Sequence, residues 1–149
     1  MKNTYFFIII ISLITFAGIN QSSAQSGEEL VNICSRVAGD ATYLKDFTVK
    51  LGSTPPGQEP LQDKQSLVLR KNTVYKFSIC SSKDYAGRAI LKLFSSSKLE
   101  ASNYMVATGK IYPSFEFTCQ KTGAYHIFVE FEDGKEGLAV VILSFVKKI

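Results

Sequence analysis

One segment of the chain gathers residue types that could do nucleophilic or acid–base chemistry: CQKTGAYHIFVEFEDGKEG, from Cys119 to Gly137. It holds the only histidine of the sequence, His126, with Cys119 before it and four acids after it: Glu130, Glu132, Asp133 and Glu136. A cysteine beside a histidine could form a nucleophile–base pair, and acids around a glycine could bind calcium. Either site requires the side chains to converge.

The strand pattern argues against a cysteine–histidine pair. In GAYHIFVEF the apolar residues alternate, so Tyr125 and Ile127 are predicted to point into a core, whereas His126 and Phe128 point outward. Cys119 has the inward parity in SFEFTC. Because Cys119 and His126 are expected to face opposite sides, we predict no catalytic residue in this segment.

The acids are better explained by a turn. Asp133-Gly134 is a strong hairpin signal, because both central positions of a type I′ turn need positive φ. A hairpin there would place Val129 opposite Leu138, but jelly rolls often send such neighbours to opposite sheets, and the alternation does not decide between the two arrangements. The spacing D-x-D-x-D-G of a calcium loop is absent. We therefore predict strand, turn and strand, without metal or cofactor.

A helix precedes the strands. Ser26 and Glu29 have the spacing of a capping box, Gly39 suits a left-handed helix end, and these signals bound a helix at residues 27–38. Its predicted apolar face consists of Leu30, Ile33, Cys34 and Val37. That face has to cover a sheet, and we expect Phe128 to pack beneath it.

Everything after the helix has the alternation of β-structure. Eight short strands are predicted, in TYLKDFTVKL, QSLVL, TVYKFSIC, RAILKLF, LEASNYMVAT, SFEFTC, AYHIFVEF and LAVVILSFV. The last is apolar on both faces, so it should lie centrally or beneath the helix. Short strands need two packed sheets. The predicted fold is all-β, a jelly-roll-like β-sandwich of about eight strands with one short N-terminal helix.

The first 24 residues are interpreted as a signal peptide. A lysine precedes the apolar run FFIIIISLITFAGI, and Ser22 and Ala24 supply the small residues of a cleavage site. The run is shorter than the roughly 20 residues of a membrane span. We predict cleavage after Ala24, a single domain at 25–149, export to the periplasm or the cell exterior, and no stable membrane anchor after cleavage.

The charge and the cysteine content further limit the functional class of the protein. The formal net charge is +4, and the basic residues are scattered in runs of at most two, which favours solvated strand faces over a nucleic-acid site. The three cysteines are Cys34, Cys80 and Cys119. An oxidising compartment predicts one disulfide among them and one free thiol, with all three pairings open.

Three segments, TVYKFSIC, RAILKLFSSSKLEAS and SFEFTCQKTGAYHIFVEF, resemble the bacterial pre-peptidase C-terminal domain over about residues 73–146. Gly123, Tyr125, Ile127 and Val129 match the last strand of that family. The resemblance implies a jelly-roll-like sandwich that acts as a non-catalytic accessory module. SSSK stands where an aspartate-glycine turn is usual, so the family's calcium site is not implied here.

The remaining functional candidates are aromatic residues in or near loops: Tyr85, Tyr104 and Tyr112. Tyrosine rings are common in contacts with other molecules. We expect an exported, non-catalytic binding or accessory module for a protein or polysaccharide. The alternatives are a structural or assembly component of a bacterial envelope complex and a small secreted enzyme.

Overall fold

The structure of this chain is a computed structural model, and it describes residues 26–149. The predicted signal peptide lies outside the described residues. One helix, α1 (Gly27–Ala38), precedes ten strands. They are β1 (Thr42–Leu51), β2 (Gln62–Leu69), β3 (Thr73–Ser81), β4 (Ala89–Ser95), β5 (Lys98–Ser102), β6 (Tyr104–Met105), β7 (Lys110–Ile111), β8 (Ser114–Cys119), β9 (Gly123–Phe131) and β10 (Gly137–Lys148).

The strands form two four-stranded antiparallel sheets and a small ribbon. The first sheet has the order β1-β10-β3-β8, the second has the order β2-β9-β4-β5, and β6 pairs with β7 in the ribbon. The eight predicted strands supply both sheets, and the weak segment LEASNYMVAT divides into β5 and β6. The prediction of an all-β sandwich with one short helix at 27–38 is confirmed.

The core lies between the two sheets. It consists of the inward-facing side chains of both, among them Val49, Phe77, Leu91, Leu93, Ile127, Val129 and Val141. In β9 the buried residues alternate with half-exposed ones, as the sequence pattern predicts. Burial of these apolar side chains stabilises the fold by roughly 1.5–3 kcal/mol for each large one.

Helix α1 begins and ends where the sequence indicates. The Ser26 hydroxyl accepts a hydrogen bond from the Glu29 N–H at 3.2 Å, and Gly39 has φ of 65°. The helix covers the outer face of β10, burying Leu30, Cys34 and Ala38 against Leu138, Val140 and Ile142. Strand β10 is therefore both central in its sheet and beneath the helix, which explains why it is apolar on both faces.

The helical face differs from the predicted one at Ile33 and at Val37, which is only partly buried. Ile33 is 39% exposed, because the buried stripe follows the i, i+4, i+8 row through Leu30, Cys34 and Ala38. That row packs on β10 and on its neighbour β3, and Ile33 lies beside it.

The helix is fixed to the sheet at two further points. A disulfide joins Cys34 to Cys80 of β3, with Cα atoms 5.5 Å apart. The Lys76 ammonium donates to the carbonyls of Val37 and Ala38 at 3.0 and 3.1 Å. A cation at this helix end also complements the helix dipole. The third cysteine, Cys119, is a free thiol buried in the core.

The sequence left open whether β9 and β10 form a hairpin or cross between sheets, and in the structure they cross. Val129 pairs with Asp63 and Leu91 inside the second sheet, whereas Leu138 pairs with Lys50 in the first. Strand β9 already has a partner on each side, so β10 has to cross to the other sheet. The turn itself keeps the expected geometry, because Asp133 and Gly134 both have positive φ, 57° and 64°.

The expected position of Phe128 is wrong. Helix α1 covers the first sheet, and Phe128 lies on the outer face of the second. Its ring meets the edge of the Phe94 ring at a centroid distance of 5.3 Å, and the Lys64 ammonium lies 5.3 Å from its centre. The parity that places Phe128 outward is correct, but parity does not say which sheet the helix covers.

Candidate ligand-binding site

A depression of about 350 Å³ brings two of the predicted tyrosines together. It lies between the loop that joins β3 to β4 and the end of β7. Tyr85 comes from that loop and Tyr112 directly follows β7. The remaining lining consists of Ile79, Ser81, Ser82, Lys83, Gly87, Arg88, Ala89, Asn103, Ile111 and Pro113.

Asn103 holds the β6–β7 side of the depression in place. Its side-chain oxygen accepts from the Leu91 N–H at 2.7 Å, and its amide donates to the carbonyls of Ala89 and Tyr112 at 3.2 and 3.1 Å. Its backbone carbonyl accepts from the Tyr112 N–H at 2.8 Å. With 1% of its surface exposed, this side chain links β4 directly to the backbone that carries one of the tyrosines.

The loop wall is held by close backbone packing and an ion pair. The Gly87 N–H donates to the Glu136 carbonyl at 2.9 Å, and a Cβ at position 87 would lie 2.7 Å from that oxygen. The next residue, Arg88, forms two hydrogen bonds of 2.8 Å with the Glu132 carboxylate. A glycine is therefore required for the loop to approach the β9–β10 corner this closely.

Both rings of the site are held near cations. The Lys110 ammonium lies 4.7 Å from the centre of Tyr112, and that of Lys50 lies 5.6 Å from the centre of Tyr85. Tyr85 also packs against the apolar cluster beneath helix α1. The helix, through its disulfide to β3, therefore contributes indirectly to the position of this ring.

The third predicted aromatic lies elsewhere. Tyr104 pairs with Ile111 in the β6–β7 ribbon, and its N–H donates to the Ser102 hydroxyl at 3.1 Å. It does not line the depression. Sequence reasoning missed its neighbour Asn103, whose only signal is a polar residue at the end of a strand.

Cys119 and His126 do not meet. His126 Nδ1 lies 2.8 Å from the Ser66 hydroxyl on the outer face of the second sheet, whereas Cys119 is 1% exposed in the core. The Cys119 thiol and the Tyr125 hydroxyl both donate to the Lys121 carbonyl, at 3.2 and 2.8 Å. Burial, with the Cys119 contact, raises the pKa of Tyr125 to about 12.

Three of the four acids of the opening segment have separate basic partners. Glu130 pairs with Lys92 at 2.7 Å, Glu132 pairs with Arg88, and Asp133 lies 3.6 Å from Lys135. Across residues 26–149, no three His, Cys, Asp or Glu side chains are arranged to hold a metal ion. Within the same range, no helix is long and apolar enough to cross a membrane.

Comparison with known proteins adds a distant similarity to a solved structure. No family model matches the chain, and no curated protein matches it. Among solved structures, the chain is similar to PliG of Aeromonas hydrophila, a periplasmic inhibitor of g-type lysozyme. The similarity covers 72% of this chain and 89% of that one, with 13% identity and a TM-score of 0.48. At this level it assigns neither a family nor a function.

Proposed function

We propose that this protein is an exported, non-catalytic binding module that holds a protein ligand in the depression between Tyr85 and Tyr112. The observation that carries the proposal is the depression itself, in which two aromatic rings from different parts of the chain are held on a hydrogen-bonded frame. Export is supported by the Cys34–Cys80 disulfide, since such bonds persist in oxidising compartments.

The polar groups of the depression favour binding over catalysis. The Ser81 hydroxyl accepts from the Ala89 N–H at 2.8 Å, the Ser82 hydroxyl accepts from the Asp84 N–H at 3.3 Å, and Asn103 and Arg88 are engaged as described above. These groups build the walls. The half-buried rings of Tyr85 and Tyr112 remain as contact surface, and an aromatic ring recognises a ligand without transforming it.

The size and composition of the depression favour a protein ligand. A volume of about 350 Å³ is at the low end for a small-molecule pocket, and it would accommodate one or two side chains of a protruding loop. Tyrosine and arginine are the residue types enriched where protein interfaces concentrate their binding energy. An accessory role beside a separate catalytic protein, as the resemblance to pre-peptidase C-terminal domains implies, is part of the same proposal.

A photo-crosslinking experiment tests the proposal. The exported protein is produced in a bacterium with p-benzoylphenylalanine in place of Tyr112 or, as the matched control, of Tyr104, which lies in the same ribbon outside the depression. Irradiation of intact envelopes should give a crosslinked product of defined mass from position 112 and not from position 104. Tyr85→Ala should abolish that product.

Two results would overturn the proposal. Equal crosslinking from both positions would mean that the depression is not the contact site. A product whose added mass is polysaccharide, identified by glycosidase digestion, would replace the protein ligand with a carbohydrate.

A further inference from the structure

One end of the sandwich collects basic residues that are far apart in the sequence. Five segments meet there, at 40–46, 67–73, 95–100, 119–123 and 145–149, and we call this end the basic pole. Strand pairing places Thr42 opposite Phe145 and Thr73 opposite Cys119. Backbone hydrogen bonds extend the connection, because the N–H of Ile149 donates to the Asn72 carbonyl at 3.0 Å.

The charge at this pole is strongly asymmetric. The five segments carry seven basic side chains, Lys45, Arg70, Lys71, Lys98, Lys121, Lys147 and Lys148. Their acids are Asp40, Asp46 and Glu100. At the opposite end the segments 51–62, 81–89, 102–114 and 131–137 carry four bases and five acids. No run of basic residues in the sequence is longer than two. The basic pole is therefore not visible in the sequence, because only the fold brings these residues together.

Exposed apolar side chains accompany these charges. Tyr43, Leu44, Val68, Leu99 and Ile149 are 53%, 47%, 72%, 50% and 66% exposed, and all lie in the same five segments. Leu44 occupies a β-bulge, where the register of β1 against β10 shifts between Tyr43 and Lys45. A bulge adds a residue that has no partner in the neighbouring strand.

The apolar and basic groups meet in one hollow. A depression of about 470 Å³ at the basic pole is lined by Leu44 and Val68 together with Arg70 and Lys148. A second hollow, of about 500 Å³, adjoins the β8–β9 turn and is lined in part by Lys98 and Lys121. The two are linked through the β2–β3 turn, where the Lys71 N–H donates to the Thr122 hydroxyl at 2.8 Å.

We propose that the basic pole docks reversibly on the surface of a membrane that contains anionic phospholipid. Each Lys or Arg near such a surface contributes about 1 kcal/mol, and exposed apolar side chains between the cations can enter the boundary between headgroups and acyl chains. A soluble polyanion would use the charges alone. The exposed Leu44, Val68 and Ile149 therefore favour a lipid surface.

Docking at this pole is independent of the proposed ligand site. The tyrosine depression lies among the segments at 81–89 and 102–114, at the other end of the sandwich. A protein that rests on a membrane through its basic pole would hold that depression away from the bilayer. Failure of one proposal leaves the other standing.

Vesicle co-sedimentation tests the proposal. The protein is recovered after export, and its intact mass first shows whether residues 1–24 have been removed, since that apolar segment would bind vesicles by itself. Vesicles of phosphatidylcholine alone are compared with vesicles that contain phosphatidylglycerol. We expect binding to the anionic vesicles only, with a loss of affinity as salt is raised.

Variants locate the contact. Arg70→Gln combined with Lys148→Gln should weaken partitioning about 30-fold, and Leu44→Ser combined with Val68→Ser should weaken it at least about fivefold. The matched controls at the opposite end are Lys110→Gln with Lys135→Gln, and Val106→Ser, whose side chain is 82% exposed. Both controls should bind like the unmodified protein, and thermal melts verify that each variant is folded.

Three results would overturn the proposal. Equal binding to both kinds of vesicle would show that the charges do not drive binding. Equal losses of binding in the control variants would show that binding does not depend on the basic pole. Binding of inorganic polyphosphate without binding of anionic vesicles would identify the pole as a site for a soluble polyanion.

Discussion

Removal of the Cys34–Cys80 disulfide should destabilise the protein by about 4 kcal/mol. The bond closes a loop with a sequence separation of 46 residues. In the chain-entropy treatment, a cross-link over a loop of this length removes about 13–14 cal/mol/K from the unfolded state, which corresponds to about 4 kcal/mol at 25 °C. The double variant Cys34→Ala, Cys80→Ala isolates this effect and leaves Cys119 in the core.

The docking of helix α1 on the sheet makes a second contribution to stability, which can be measured separately from that of the disulfide. Helix α1 is held also by the burial of Leu30 against β10 and by the hydrogen bonds from Lys76. Leu30→Ala should cost about 2–5 kcal/mol wherever the helix is docked. If the disulfide acts mainly on the unfolded chain, Leu30→Ala will cost the same with and without the disulfide.

Urea unfolding followed by far-UV circular dichroism measures all four proteins of this cycle. The expected result is a drop of about 4 kcal/mol for the double cysteine variant, and an equal cost of Leu30→Ala in both backgrounds. A loss below about 1 kcal/mol would refute the entropic reasoning. A silent Leu30→Ala in the variant without the disulfide would show that the helix is detached when Cys34 is released.

Four further predictions concern single positions. Ser26→Ala should cost about 1 kcal/mol through loss of the helix cap, measured by the same urea melts. His126→Gln should change stability by no more than about 0.5–1 kcal/mol, as at ordinary surface sites. Gly134→Val should lower the thermal stability more than His126→Gln does, because φ is 64° at position 134 and a Cβ there would lie 2.8 Å from Thr54. The reverse order in thermal melts would contradict the assignment of this segment as scaffold. Because the pKa of Tyr125 is raised to about 12, stability that is present below pH 10 should be lost as the pH rises from about 10 to 12, by at most about 2–3 kcal/mol. Tyr125→Phe should flatten that part of the profile, and an unchanged alkaline profile would contradict it.

The parts of the fold that follow local rules could be predicted from the sequence. The helix bounds depend on Ser26 and Gly39, which act within one turn of the chain. The direction of each side chain in β9 depends on strict alternation, and the apolar faces of β10 reflect its burial on both sides. Each of these signals lies within a dozen residues.

The points that the sequence left open or predicted wrongly depend on distant segments that compete for the same place. Asp133-Gly134 has the φ values of a hairpin turn, but β9 has β2 and β4 as neighbours, so the chain crosses between sheets. The Phe131 ring fills the corner so tightly that a Cβ on Gly137 would lie 2.2 Å from it. No local pattern states which sheet the helix covers, and the expected position of Phe128 failed for that reason.

The candidate site likewise combines features that are visible in the sequence with features that depend on the fold. The sequence pointed to Tyr85 and Tyr112 as loop aromatics, but their convergence depends on Asn103, whose side chain bonds to backbone groups of β4 and of Tyr112. The basic pole was missed altogether, since its charges are scattered in sequence and are collected only by strand register. A surface built from strand ends cannot be recognised from the amino-acid composition or from runs of charged residues in the sequence.

The separation of the three cysteines has a consequence for biogenesis. Cys34 and Cys80 meet on the outer side of the first sheet, beneath the helix, whereas Cys119 lies between the sheets. Any bond from Cys119 to either partner would hold the helix or β3 in a place that prevents the sheets from closing. In an oxidising compartment, closure of the sandwich around Cys119 would protect the chain from mispaired oxidation, and slow closure would make the yield of folded protein dependent on a disulfide isomerase.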